Sequence, residues 1–266
     1  MMEQKLRQLL DESCVVGGEV RCFDVLDSTN TYLKELALNG APNGMVVLAG
    51  QQTAGRGRMD RQFQSPKGKG LYLSVLLRPE LPPERLLPVT ALAGVAVCGA
   101  VERLCGERPG LKWPNDPVLH GRKLAGILTE LTVDGDGKLA LVLGIGINVR
   151  QGREDFSPDV AEIATSLRME GLAVSREALA AALLRELDKM YRALLAGELD
   201  PWREAYRQDC VNLGRPVQLL YPGGRKQAVA LDIDEEFGLV VRLEDGEVTV
   251  VRSGEVSVRG LYGYVE

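Results

Sequence analysis

The periodicity of this chain changes character near residue 212, and the change restricts it to two unlike structural units. Up to that point, helical and strand-like spacings alternate over long segments. After Leu213, short β-rich runs at 217–221, 228–233, 239–243, 247–251 and 255–258 are separated by Gly-containing turns. Short, evenly spaced strands of this kind suit a small barrel. We therefore divide the chain into residues 1–212 and 213–266, a division that 266 residues can support.

The first unit reads as a mixed α+β layer structure. Residues 3–13 have helical character, and 19–26 alternate as a strand does. A helix starts near Asp27-Ser28-Thr29-Asn30, with Tyr32, Leu33, Leu36 and Ala37 at helical spacing. Strands follow at 45–50 and 70–77, then a largely buried helix at 88–105. Further strands are expected at 111–112, 122–133 and 138–149, with Asp134-Gly-Asp-Gly137 turning between the last two. Ser175 is placed to cap a long amphipathic helix reaching about Ala196, and 201–210 make a last short helix.

Several chemistries are disfavoured at once. The single histidine, His120, sits in a turn-like segment, Val-Leu-His-Gly-Arg-Lys, and reads as a solvated loop residue. No Gly-x-Ser-x-Gly elbow offers it a serine, so a Ser-His-Asp triad is not expected. Cys14, Cys22, Cys98, Cys105 and Cys210 have no metal-ligand spacing and read as reduced, mostly buried thiols. A net charge of −5 disfavours nucleic acid as a partner. The longest apolar run picked out, 89–101, is short for a membrane span, and the N-terminus lacks a signal-peptide core. The expectation is a cytoplasmic protein with no membrane partner.

Five segments carry residues suited to chemistry. Asp27-Ser28-Thr29-Asn30 can be a helix cap, or a helix start whose side chains hold a polar ligand. Gln51-Gln52-Thr53 leads into Ala54-Gly55-Arg56-Gly57-Arg58-Met59-Asp60-Arg61. The glycines leave this backbone open to a ligand, and the arginines offer forked donors to carboxylate or phosphate. It is equally readable as a basic surface turn. Phe63, just beyond, is core or an apolar wall.

In Lys112-Trp113-Pro114-Asn115-Asp116-Pro117, two prolines frame an Asn-Asp pair. That pair is an Asx turn, or a carboxylate and amide presented to Mg²⁺ and phosphate. Arg122-Lys123-Leu124-Ala125-Gly126 opens an apolar strand, with Gly126 leaving space along it. Gly144-Ile-Gly-Ile-Asn148 ends a strand and fails the dinucleotide pattern, because Val149 stands at the last glycine position.

In this order, the five segments resemble the catalytic core of biotin–protein ligases, also called biotin–[acetyl-CoA-carboxylase] ligases. The matching stretches are Asp27–Asn30, Gln52–Arg58, Lys112–Asp116, Arg122–Leu128 and Gly144–Asn148. The resemblance implies a mixed sheet flanked by helices, as in class II aminoacyl-tRNA synthetases and biotin ligases, followed by an SH3-like barrel. It implies an ATP-dependent enzyme. Biotin's carboxylate attacks the α-phosphate of ATP to give biotinyl-5′-AMP, and biotin is then passed to a lysine of the biotin carboxyl carrier protein.

By the same resemblance, Lys123 and Arg58 are catalytic. Biotin is held by Ser28, Thr29, Asn30, Gln52, Gly55, Arg56, Gly57, Arg58, Lys123 and Gly126. ATP is held by Arg58, Arg61, Phe63, Lys112, Trp113, Asn115, Lys123 and Asn148, and Asp116 takes Mg²⁺. The short stretch before the first strand fits the form of the family without an N-terminal winged helix. The resemblance admits a homodimer through a sheet edge. Two departures stand out: Asp60 occupies a position where the family carries glycine, and Phe63 one where tryptophan is common. A lipoate or octanoate–protein ligase of the same fold, and a non-catalytic biotin sensor, are the competing readings.

Overall fold

The computed structural model describes residues 2–10, 13–59, 61–134, 137–221, 224–252, 257–260 and 264–265. Its elements in order are α1 (Met2–Leu9), β1 (Val20–Phe23), α2 (Thr29–Leu38), β2 (Val46–Ala49), β3 (Gly70–Leu77) and α3 (Val89–Cys105). Then come β4 (Gly110–Lys112), β5 (Asp116–Leu119), β6 (Arg122–Lys123), β7 (Ala125–Val133), β8 (Leu139–Asn148), α4 (Pro158–Ala161), α5 (Arg176–Ala196) and α6 (Asp200–Asp209). The C-terminal strands are β9 (Pro216–Tyr221), β10 (Gly224–Ile233), β11 (Leu239–Leu243), β12 (Val248–Val251) and β13 (Ser257–Gly260).

The main sheet has the order β1-β2-β3-β8-β7. Only β1 and β2 run parallel; the other pairs are antiparallel. Side chains alternate between the two faces of a strand, and this divides the sheet's work. Leu71, Leu73, Val75 and Leu77 of β3, with Leu141, Leu143, Ile145 and Ile147 of β8, face α3 and α5 in the main core. The opposite face carries Val47, Leu76, Ala140 and Val142 under Leu33 and Ala37 of α2. Beyond α2 on that face, the strands expose small and polar residues, and a cleft opens there.

Helix ends follow their local chemistry. Ser28 caps α2 by accepting from the backbone N–H of Thr31, and Ser175 caps α5 by accepting from Ala178. Gly197, at φ 75°, terminates α5 in the left-handed conformation. Counted with the turn before it, the helical stretch Pro83–Cys105 spans 23 residues and is apolar enough to cross a bilayer, which makes it longer than the run picked out from sequence. Most of it is buried against the sheet and α5.

Sequence reading missed β5. The residues from Asp116 on pair antiparallel with β4, with Lys112 opposite Asp116, so a run expected as a proline-framed turn continues as a strand. The second proline, Pro117, lies on this short strand of a three-stranded sheet, β4-β5-β6. The short helix α4 was missed as well. The C-terminal strands form an antiparallel, barrel-like sheet in the order β12-β11-β10-β9-β13. It packs on α6, where the Tyr206 ring meets Phe237 edge-on at 5.7 Å and Arg207 pairs with Asp232 at 2.6 Å. Parts of three expected segments, around Asp11, Asp136 and Glu255, lie outside the described residues. Of the cysteines, Cys98 and Cys210 are buried, while Cys14, Cys22 and Cys105 are partly exposed, fewer buried thiols than expected.

Candidate active site

Strand register builds the floor of the cleft. Ser74, Gly144 and Leu128 form one row across β3, β8 and β7, and Tyr72, Gly146 and Gly126 form the next. Gly144 and Gly146 are required by what lies above them, and Gly126 lets the Phe63 ring approach closely. A β-carbon on Gly144 would stand 2.1 Å from the Asn30 side-chain oxygen, and one on Gly146 would stand 2.4 Å from the Phe63 ring. Phe63 also closes on Gly126 and meets Tyr72 edge-on at 6.4 Å. Phe63 thus borders the cleft, with its ring lying on the glycine rows.

The cleft encloses about 220 Å³. At one end lie Ser28, Thr29, Asn30 and Gln52. Gln52 Oε1 accepts from the Thr29 backbone N–H at 2.8 Å, and Gln52 Nε2 donates to Ser65 Oγ at 2.9 Å. The Gly-Arg loop arches over this end. Arg56 reaches Glu130 of β7 at 3.0 Å, and Arg58 donates to Asn115 Oδ1 at 3.2 Å. Gly57 N donates to Arg61 O at 2.7 Å, which folds the loop back on itself, and Arg61 also lines the cleft. Asp60 lies outside the described residues. Gly55 is buried behind the loop, where a β-carbon would strike the Phe63 carbonyl at 2.3 Å. It does not line the cleft.

The other end is cationic. Lys112 is buried, with Nζ 4.5 Å from the centre of the Tyr264 ring. Lys123 Nζ donates to Asp116 Oδ1 at 2.6 Å, and the Tyr264 hydroxyl donates to Asp116 Oδ2. Burial pushes the Asp116 carboxyl up. The Lys123 and Lys112 charges, with hydrogen bonds from Lys123 and Tyr264, outweigh burial and hold it below its usual range. Lys123 is fixed through its backbone, donating to Ile163 O and accepting from Thr165 N. Phe156, Val160, Ile163 and Ala164 supply an apolar wall beside it.

Three expected ligand residues are committed elsewhere. The Trp113 indole is buried, and Nε1 donates to the Phe237 carbonyl at 3.0 Å, tying this turn to the C-terminal sheet. Asn115 Nδ2 donates to Ile127 O at 2.7 Å, so this amide aims Arg58. Asn148 donates to Thr165 O and accepts from Gln151 Nε2, holding the loop after β8. All three still border the cleft. Asp116 is poorly suited to Mg²⁺, since both oxygens accept from protein donors beside two lysines. Among the described residues, no group of three His, Cys, Asp or Glu side chains could hold a metal ion.

Sequence reasoning missed Glu130, Ser74 and Tyr264. Glu130 follows the Arg122–Leu128 motif by two residues on the same strand face, a period-two signal that could have found it. Tyr264 arrives from the end of the chain, and nothing local announces it.

Comparison with known proteins agrees with this geometry. The Biotin/lipoate A/B protein ligase family matches residues 22–148, and the Biotin protein ligase C terminal domain matches residues 213–259. The bifunctional ligase/repressor BirA of Bacillus subtilis is 36% identical over 87% of this chain and 72% of its own. The biotin–[acetyl-CoA-carboxylase] ligase of Mycobacterium tuberculosis is 36% identical over 94% of each chain. The biotin protein ligase of Aquifex aeolicus in complex with biotin and ATP superposes with a TM-score of 0.80 at 28% identity, covering 91% of this chain and 99% of that one. On the fold, the cleft and these relatives together, the chain belongs to the biotin protein ligase family and is a ligase enzyme.

Proposed function

We propose that this enzyme couples biotin to a lysine of a biotin carboxyl carrier protein in two steps within the one cleft. In the first, the biotin carboxylate oxygen attacks the α-phosphorus of ATP. The bond to the bridging oxygen breaks, and pyrophosphate leaves with that electron pair. In the second, the carrier lysine's neutral amine attacks the acyl carbon of biotinyl-5′-AMP. AMP departs, the amide forms and the amine gives up a proton.

The observation that carries this reading is the Lys123–Asp116 pair at 2.6 Å, at the cationic end of a cleft whose other end carries hydrogen-bonding side chains. Two anions must meet there, and cations fixed in advance lower the cost of bringing them together. Lys123 stands where its charge can answer the carboxylate and the α-phosphate, while Lys112 and Arg58 add charge on the nucleotide side. Ser28, Thr29, Asn30 and Gln52 suit the ureido ring of biotin. The Gly-Arg loop suits a lid, which would shield the hydrolysable anhydride from water. Mg²⁺ enters as part of the substrate Mg·ATP, carried by its phosphates.

The test is mass spectrometry of a purified carrier domain incubated with the enzyme, biotin and Mg·ATP, beside Lys123→Ala. A gain of one biotinyl group that needs ATP and is lost in the variant supports the reading. Transfer of lipoate in place of biotin overturns the substrate, and biotin binding without any transfer overturns the enzyme's role towards the carrier.

A further inference from the structure

A buried row of hydrogen-bonding groups runs beneath the polar end of the cleft, from β7 through β3 to α2. Asn30 Nδ2 donates to Glu130 Oε2 at 2.9 Å. Asn30 Oδ1 lies 2.5 Å from Ser74 Oγ, which lies 2.7 Å from Thr29 Oγ1, which lies 3.0 Å from Gln52 Oε1. Ser74 is fully buried, and Thr29 and Asn30 nearly so, so no solvent competes for these contacts.

The row has three oxygen–oxygen contacts but only two hydroxyl protons to fill them, since Ser and Thr each carry one. The shortest contacts most need a proton, because two bare oxygens repel at such separations. Ser74 therefore donates to Asn30, and Thr29 donates to Ser74. The 3.0 Å contact is left without a proton, and Gln52 Oε1 remains satisfied by the Thr29 backbone N–H. This assignment depends on which way the Asn30 amide points. Were it turned over, its oxygen would face the Glu130 carboxylate. Lys34 and Arg56, each 3.0 Å from Glu130, flank that carboxylate. Burial raises the Glu130 carboxyl, but the bonds from Asn30 and Lys34 and the nearby cations pull it below its ordinary range, so it stays ionised.

We propose that Glu130 is a positioning residue that sets the proton order of this row, leaving Thr29 Oγ1 as an acceptor for a ligand N–H in the cleft. The inference rests on the biotin reading and extends it. The pocket selects a ligand that brings a donor to Thr29, as a cyclic urea does and a dithiolane cannot. A site built around a substrate N–H rejects analogues lacking it more strongly than an apolar pocket rejects a change of shape.

Calorimetry of biotin binding tests this with Glu130→Gln, Ser74→Ala and the double variant. A second titrant is biotin methylated in turn on each ureido nitrogen. The expected result is a loss of about tenfold in biotin affinity for each single variant, by the worth of one buried hydrogen bond. The double variant should lose little more than either single one. One methylated isomer should be rejected by the unmodified enzyme and discriminated less by both variants, while KM for ATP stays unchanged. Biotin binding unaffected by either substitution, or losses that simply add, would overturn the relay and leave the biotin reading standing. Failure of the unmodified enzyme to bind biotin would overturn both.

Discussion

Lys123 and Asp116 meet at 2.6 Å although they belong to different strands, Asp116 standing opposite Lys112 on β4 and Lys123 ending β6. The carboxylate thus lies between two lysines. In the free enzyme it is the counter-charge that allows both cations to sit in a partly buried cleft. An anionic ligand entering there takes over part of that duty.

Asp116→Asn should therefore act differently on the free and the liganded enzyme. Removing one member of a largely buried ion pair leaves the other uncompensated, at a cost of about 2 kcal/mol or more. The variant should melt several degrees below the parent, and Mg·ATP should raise its midpoint more than it raises the parent's. The depressed carboxyl adds an acid limb. A folded pKa below the unfolded value contributes stability that is present above about pH 3.9 and lost as pH falls through the folded pKa. Thermal scans across pH should show the two proteins converging in acid. A variant that gains nothing extra from Mg·ATP would refute the counter-charge role.

Tyr264→Phe removes the hydroxyl that donates to Asp116 but keeps the ring under Lys112. A hydrogen bond to a charged group contributes roughly 1.5–3 kcal/mol. KM for ATP should rise about tenfold, with biotin affinity unchanged. Tyr264→Ala should go further, because the contact with the Lys112 cation is lost as well. Steady-state kinetics with each substrate varied separately provide the check; equal effects on both substrates would argue for a general disturbance of the fold.

These residues show where a sequence is readable and where it is not. β3 and α5 were legible because a short, nearly continuous apolar run, the Ser175 cap and the apolar face of α5 are local signals. β5 was not, because prolines on both sides of Asn115-Asp116 carry a turn signal that pairing with β4 overrides. The cleft residues of the five motifs were legible by type, and the folded chain assigns them partners that type alone does not reveal. Trp113 holds the C-terminal sheet, and Asn115 aims an arginine. Glu130 and Tyr264 reach the site through register and chain closure, contacts separated by 100 and 148 residues from Asn30 and Asp116.

Gly146→Ala tests the glycine floor. The added carbon would stand 2.4 Å from the Phe63 ring, inside any tolerable contact, so the ring must swing away over the cleft. Biotin affinity should fall more than tenfold, consistent with overpacking costs of about 1–3 kcal/mol. Combining it with Phe63→Ala should recover much of that loss, since the clash is gone. A double variant no better than Gly146→Ala would show that the floor, not the ring, carries the effect.

His120 offers a clean measurement because the chain has one histidine. It lies in a turn at φ 47°, with Nδ1 2.7 Å from Glu170 and Nε2 2.8 Å from Glu107. The hydrogen bond with Glu170, then the charges of Glu107 and Glu170, raise its pKa above the ordinary 6.5 despite some opposing desolvation. A raised folded pKa contributes stability that is complete below about pH 6.5 and lost as pH rises through the folded value. The ring is largely exposed, so solvent screening keeps the effect small. The thermal midpoint of His120→Gln should trail the parent's in mild acid, with the gap closing as pH rises. The single imidazole proton resonance should titrate above the free value, and in Glu170→Gln it should move back towards it. An imidazole titrating at or below 6.5 in the parent would mean these contacts do not hold the proton in solution.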